Sequence, residues 1–323
     1  MLHPNAATAR TAYVPILPER EANLMPIAPT PDALEKFARL LEESGDYRVL
    51  RRHSLNPTPL CSARNTRLGL VVDVETTGPD PTSDEVIEFA AVPFQYYNSG
   101  RIVAVHEPIS QLREPSLPIP ASVTELTGTE DAAVQGRVVD SAAILPLLDR
   151  ASLVVAHHAA FDRPFLERLI PSFACVRWAC SMSEIDWKRE GAATLKLQGL
   201  MSEAGFFYDA HRAEADCLAT VELLSRRLPR SGKLPMSLIL KSVTRETCRI
   251  WAADARYDKK DLLKQRGYRW NNGEDGRARA WCIDIDAAAL DAKKNFLFEQ
   301  IFHAEVDLPV VWLSAYDRFS SRI

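Results

Sequence analysis

At 323 residues and 36.1 kDa the chain exceeds one typical domain and is long enough to bury a sizeable core. Its 46% hydrophobic and 25% charged content is ordinary for a globular protein, and no apolar run is long enough to span a bilayer. A formal net charge of −4 argues against a protein that coats nucleic acid over its whole surface, though not against a local basic groove. The six cysteines (Cys61, Cys175, Cys180, Cys217, Cys248, Cys282) form no C-x-x-C pair and no zinc-like cluster with histidine. They read as reduced, partly buried thiols of a cytoplasmic protein, and the start Met-Leu-His-Pro-Asn-Ala lacks the pattern of a signal peptide.

Residues 1 to about 30 are rich in Pro and Ala without periodicity and read as an extended arm. Thr30-Pro-Asp-Ala-Leu-Glu then predicts an amphipathic helix with Thr30 as N-cap, Pro31 just inside, and Leu34, Phe37, Leu40 and Leu41 as its apolar stripe. Tyr47 to Arg52 reads as a short strand whose basic residues face solvent. Leu70-Val-Val-Asp73-Val-Glu75-Thr76-Thr77-Gly78 follows. It sets two carboxylates two residues apart in an apolar strand, so both project from one face. One reading is a pair of edge-strand acids facing water. If the strand is buried, the pair persists only with something positive between them, and a divalent metal is the usual answer. Thr76-Thr77-Gly78 predicts a tight turn at the strand end where a substrate backbone approaches closely.

Val86 to Phe94 and Ile102 to Pro108 predict the next two strands, joined in a hairpin around Asn98-Ser-Gly100. Ala121 to Gly128 predicts a short helix ending in glycine. Leu153-Val-Val-Ala156 is a further strand, and His157-His158-Ala-Ala-Phe161-Asp162-Arg-Pro-Phe165-Leu166 puts Asp162 at a strand-to-helix junction beside a buried stripe. His211 and Asp216 stand five residues apart at the front of a helix running through Leu224. Both address one site only if His211 lies at or just before the helix start.

Asp-x-Glu on a first strand, Phe-Asp after a later one and His-x4-Asp on a helix resemble the three motifs of the DEDDh (DnaQ-like) 3′-to-5′ exonucleases, over about residues 66 to 228. The resemblance implies an α/β, RNase H-like fold with a mixed five-stranded sheet flanked by helices. It implies two Mg²⁺ or Mn²⁺ ions held by Asp73, Glu75, Asp162 and Asp216, with His211 as the general base. It also implies substrate contacts from Thr76, Thr77 and Gly78, from Leu126 and Thr127, and from His158 and Phe161. His158 stands where the family usually has asparagine, and the isoleucine the family places after Gly128 is replaced by Thr129. The expected partner is nucleic acid, single-stranded or frayed at its 3′ end, with DNA favoured. An exoribonuclease of the same fold and a catalytically inactive binding module are the alternatives. No clamp-binding segment of the kind a dedicated proofreading subunit carries is visible.

Pro229-Arg-Ser-Gly232-Lys reads as a linker. From Lys233 to Cys282 twelve Lys or Arg face six Asp or Glu, a local net charge of +6. Here Tyr257, Tyr268, Trp270 and Trp281 interleave with basic residues. The pattern resembles a small accessory module found after exonuclease or topoisomerase domains. It suits single-stranded nucleic acid through phosphate contact and stacking, and equally suits tryptophans that form the module's own core. A helix over Lys259 to Gln265 closed by Gly267, a hairpin around Asn271-Asn-Gly273 and a helix over Ala287 to His303 complete the expectations. The predicted organisation is an N-terminal arm (1–65), an exonuclease domain (66–230) and a basic α+β domain (231–323).

Overall fold

The computed structural model describes residues 30–55, 57–58, 64–274 and 276–322, so the Pro- and Ala-rich stretch over residues 1–29 and Cys61 lie outside the described residues. The described residues up to Val49 form one unit and those from Leu50 onward another. In the first unit lies helix α1 (Pro31–Glu43), with the Thr30 hydroxyl accepting from the Ala33 N–H as the sequence predicts.

The second unit runs β1 (Arg51–Arg52), β2 (Arg67–Thr76), β3 (Val86–Tyr96), β4 (Ile102–Val105), β5 (Ile109–Leu112), α2 (Ala121–Thr127), α3 (Asp131–Val134), α4 (Ser141–Arg150) and β6 (Ala151–Ala156). It continues through α5 (Ala159–Leu169), β7 (Trp178–Cys180), α6 (Trp187–Glu190), α7 (Leu197–Glu203), β8 (Phe206–Phe207), α8 (Ala213–Ser225) and α9 (Pro235–Val243). The main sheet has the order β4-β3-β2-β6-β7, with β2 antiparallel to β3 and parallel to β6. Helices cover both faces, which is why its strands read as nearly continuous apolar runs. Side chains alternate across β2. Leu70, Val72 and Val74 pack with Ile144, Phe165 and Trp178 on one face. Val71 packs with Cys217, Val221 and Leu224 of α8 on the other.

The mixed α/β architecture is the one expected, with one difference in strand count. A sixth strand, β5, pairs with β3 at Ala90↔Ser110, beside β4 at Phe94↔Val105. β3 is long enough to hold two short partners, and His106-Glu107-Pro108 breaks them apart because Pro108 has no N–H for the ladder. The predicted strand near Tyr47 shrinks to β1, which pairs in parallel with β8. Helix α9 follows the expected linker yet sends Met236 and Ile239 into the same core as α8.

A second, antiparallel sheet begins at Thr247. Its elements are β9 (Thr247–Ala252), α10 (Lys260–Gln265), β10 (Arg269–Asn271), β11 (Ala280–Asp286), α11 (Leu290–Phe296) and β12 (Val310–Leu313), in the strand order β10-β11-β9-β12. One face, with Ile250, Ala252, Trp281 and Ile285, packs on Leu263, Tyr268, Leu297 and Ile301. Gly267, with φ 84°, turns the chain after α10. The Asn271↔Ala280 pairing puts residues 272–279 between the strands, so Asn271-Asn-Gly273 opens a longer loop and is not itself the hairpin turn. The predicted final helix spans Ala287 to Phe302 in 3-10, α and π turns, and His303 (φ 55°) ends it. No helix among the described residues is long and apolar enough to cross a membrane.

Candidate active site

Asp73 and Glu75 lie on the face of β2 that looks at α8, and the first turn of α8 delivers Asp216 to them. Oxygens of these three carboxylates lie within 4.8 Å of one another. Asp162, in the first turn of α5, is 2% exposed. Its Oδ2 is buried with no hydrogen-bond partner, while main-chain N–H groups, that of Val74 foremost, support its negative charge. Four acids therefore converge, and no ion pair to any of them occurs among the described residues.

The electrostatic consequence is large. Burial, and then repulsion from Asp162, Asp216 and Glu75, raises Asp73 well above the ordinary carboxylate range. Glu75 is pushed up to about 8, by burial first and Asp216 next. Asp162 is pushed up to about 8, mainly by burial. Asp216 is raised by burial and eased by the Tyr208 hydroxyl, which donates to its Oδ1 at 2.6 Å. Desolvated acids at mutual repulsion lack a positive partner, and an all-oxygen donor set of this kind suits a hard divalent cation. The Asp73–Glu75–Asp216 group, with the orphaned Asp162 oxygen beside it, fits such an ion.

His211 stands two residues before α8 in the left-handed region (φ 64°), followed by the N-cap Arg212. This is the position at the helix start that the five-residue spacing requires. The imidazole is exposed, and its charge bears on Asp216.

The expected substrate-contact residues divide into exposed and internal ones. Leu126 is 55% exposed, and His158 is exposed and stacked on Phe161 with ring centroids 5.9 Å apart. Thr127 is buried, and its hydroxyl is used within its own helix end, donating to the Val123 carbonyl at 3.0 Å. Thr76 donates to the Gly78 carbonyl at 2.6 Å, and Thr77 accepts from the Glu85 N–H at 3.0 Å. Gly78 lies against the carboxylate of Asp84. A Cβ there would stand 2.5 Å from Asp84 Oδ2, so the close approach is by Asp84. His157 is a structural residue, bonded to Ser181 Oγ and the Leu195 carbonyl, and burial lowers it to about 4.

Sequence reasoning missed Glu88, Arg212 and Tyr208. Glu88 lies opposite Glu75 on β3, is 1% exposed and pairs with Arg212 at 3.0 Å. The signal was present. A lone carboxylate in the apolar run Val86 to Val92 poses the same question as Asp73.

Residues 70–224 match the family model described as an exonuclease. The match covers just under half of the chain, and this segment is similar to that exonuclease family. Among curated relatives, the PolC-type DNA polymerase III of Caldanaerobacter subterraneus subsp. tengcongensis is 28% identical over 167 residues, covering 50% of this chain and 12% of the relative. That of Thermotoga petrophila is 32% identical over 183 residues, covering 51% and 12%. The chain thus spans about one-eighth of the length of these relatives. Among solved structures, exonuclease X in complex with 5′-overhanging duplex DNA is 21% identical, covers 55% of this chain and 92% of its own, and has a TM-score of 0.37. An E. coli exonuclease I complex with single-stranded DNA is 14% identical, covers 68% and 63%, and has a TM-score of 0.46. The four converging acids lie inside the matched exonuclease segment.

Proposed function

We propose that the chain is a metal-dependent 3′-to-5′ exonuclease that releases nucleoside monophosphates from DNA 3′ ends, in single strands or frayed duplexes, in repair or end processing in the cytoplasm. The observation that carries this reading is the group of four carboxylates with no ion-paired cation among the described residues, within a matched exonuclease segment. Asp73, Glu75, Asp162 and Asp216 would hold two ions, Mg²⁺ or Mn²⁺. Such ions, when bound, activate water and neutralise charge on the phosphoryl and leaving oxygens. Asp73, which is repelled by each of the other three acids, would be part of that donor set.

His211 would take the proton of the attacking water at a ring nitrogen, since imidazole is the side chain suited to that exchange near neutral pH. Its exposed position before α8 leaves the ring accessible to solvent and substrate. Tyr208 holds the Asp216 carboxylate in place, and Arg212, tied to Glu88, eases the charge on Glu75. Leu126, His158 and Phe161 offer an apolar edge and a stacked aromatic pair for the terminal nucleotide. Thr76, Thr77, Gly78 and Thr127 would act there mainly by fixing the main chain.

The test is degradation of end-labelled single-stranded DNA and RNA of one sequence, with Mg²⁺, Mn²⁺ or EDTA, beside an Asp73→Ala control. Stepwise loss from the 3′ end that disappears with EDTA and in the variant is the expected result, with DNA cut faster. Faster loss of RNA would favour the exoribonuclease reading. Binding without cleavage of either polymer would overturn the enzymatic one.

A further inference from the structure

One buried carboxylate beside the four acids has no part in their donor set. Glu88 stands opposite Glu75, and Ala90 opposite Asp73, so Glu88 shares with Ala90 and Val92 the face of β3 that looks at α8. A bulge lies next to it. Thr76 pairs with Val86, which leaves Ile87 without a partner on β2, and such a bulge bends the strand and re-aims its neighbours. Glu88 is 1% exposed, and Arg212 is its one ion-paired cation among the described residues. Arg212 Nε donates to Oε2 at 3.0 Å and to Oε1 at 3.4 Å, and Nη2 donates to Oε1 at 3.4 Å. A planar guanidinium held through two nitrogens on a buried carboxylate is fixed in direction as well as in distance.

Arg212 is also the N-cap of α8, and its main-chain N–H donates to Asp216 Oδ2 at 3.2 Å. The Tyr208 hydroxyl donates to the other oxygen, Oδ1, at 2.6 Å. The turn from Tyr208 to Arg212 therefore wraps the Asp216 carboxylate. His211 sits inside that turn at φ 64°, where residues other than glycine rarely stand. Asp209 pairs with Arg52 at 2.9 Å, but both side chains are largely exposed and such a pair holds little. The His211 imidazole makes no hydrogen bond among the described residues, so its place is set by the main chain. The buried Glu88 ties that main chain to the sheet.

We infer that Glu88 is a positioning residue, which acts through Arg212 to hold the left-handed turn at His211 and so keeps the imidazole beside Asp216. It touches neither ion nor substrate itself. The inference rests on the exonuclease reading above, in which His211 is the base. Without Glu88, the half-exposed Arg212 guanidinium turns to solvent, and the His211 main chain is free to leave the left-handed region. The base is then present but out of place.

The test has a metal-free arm and a kinetic arm, both on the full chain. In EDTA, the proton–carbon NMR resonance of the His211 ring, assigned by its loss in His211→Ala, should shift and broaden in Glu88→Gln. An unmoved resonance would overturn the inference. On an end-labelled oligodeoxythymidine in Mg²⁺, Glu88→Gln should lower kcat about thirtyfold and leave KM within about twofold, the scale on which misplacing a reacting group costs rate. Arg212→Gln should do the same. Arg212→Lys, which keeps the charge but not the fork, should fall between it and the native chain. In a His211→Ala background Glu88→Gln should cost no more than about twofold, because no base remains to be misplaced. The same full loss in that background would count against the inference. So would a raised KM with kcat intact, which would make Arg212 a substrate contact. Loss of the Mg²⁺-induced rise in melting temperature would place the effect of Glu88 at the ions instead. Melting curves in EDTA establish that each variant folds. Glu88→Gln leaves no buried charge unpaired, and it decides alone if Arg212→Gln does not fold. A native chain that shortens no DNA would sink the exonuclease reading and the inference with it. Shortening with an unmoved ring or an additive double variant would sink the inference alone.

Discussion

On β9 and β11, Arg249 meets Asp284 at 2.6 Å and Arg269 joins the same carboxylate, so charge brought onto that sheet is answered by charge. On β2 the opposite holds, with Asp73 and Glu75 facing Asp216 beside Asp162 and no ion pair to any of them among the described residues. Both sheets have apolar cores and both tolerate polar groups at cross-strand positions. The difference is that a paired charge on a strand is compatible with a purely structural role, whereas a repelling cluster persists only where it serves something the chain does not itself supply.

The sharpest way to break that contrast is Asp73→Asn. Strand cleavage should fall about 10³-fold or more, equivalent to about 4 kcal/mol of transition-state stabilisation. The melting temperature in EDTA should not fall, because the change removes a repelling acid. A variant that loses activity and also melts lower without metal would make Asp73 a structural residue. Next in size, His211→Ala should lower the rate at least about a hundredfold while divalent ions still raise the melting temperature. Loss of that rise would make His211 part of the ion site rather than a base.

How much of this was legible follows from the kind of interaction. Asp73, Glu75, Asp162 and Asp216 were readable because carboxylates in apolar runs break a strong pattern, and β2, β6 and α8 follow directly from that pattern. Glu88 was equally visible in principle and was passed over because its neighbours gave a satisfactory strand. The approach of Asp84 to Gly78 was not legible, because it is set by the turn's three-dimensional course. β4 falls within the expected strand Ile102 to Pro108, whereas β5 (Ile109–Leu112) lies beyond Pro108 and was not expected. The packing of residues 314–322 against α5 left no local trace, since its bonds run from side chains to main-chain carbonyls more than 150 residues away.

A third prediction concerns pH and metal together. Glu75 and Asp162 stand at about 8 in the folded chain, above the ordinary values of 4.5 and 3.8. Between those values and pH 8 the folded state holds more protons than the unfolded one, so metal-free stability falls as pH rises through that window and levels off above it. Mg²⁺ at about a hundred times its dissociation constant should restore about 2.7 kcal/mol. Melting curves at pH 5 and pH 8.5, with EDTA or Mg²⁺, check this, and a metal-induced rise that is larger at pH 5 would contradict it. The smallest expected effect lies on the other sheet. Arg249→Met should cost about 2 kcal/mol by leaving the partly exposed Asp284 with Arg269 alone, read as a lower melting temperature with or without metal. A melting loss that depended on metal would erase the distinction between the two sheets.

The bonds from Arg163 to the Tyr316 and Arg318 carbonyls span 153 and 155 residues. During synthesis α5 therefore leaves the ribosome long before the carbonyls that receive its buried guanidinium. Until then Arg163 must stay hydrated, and the helix that presents Asp162 cannot settle into its final seat. The group of four acids is therefore completed only after the second sheet has been made.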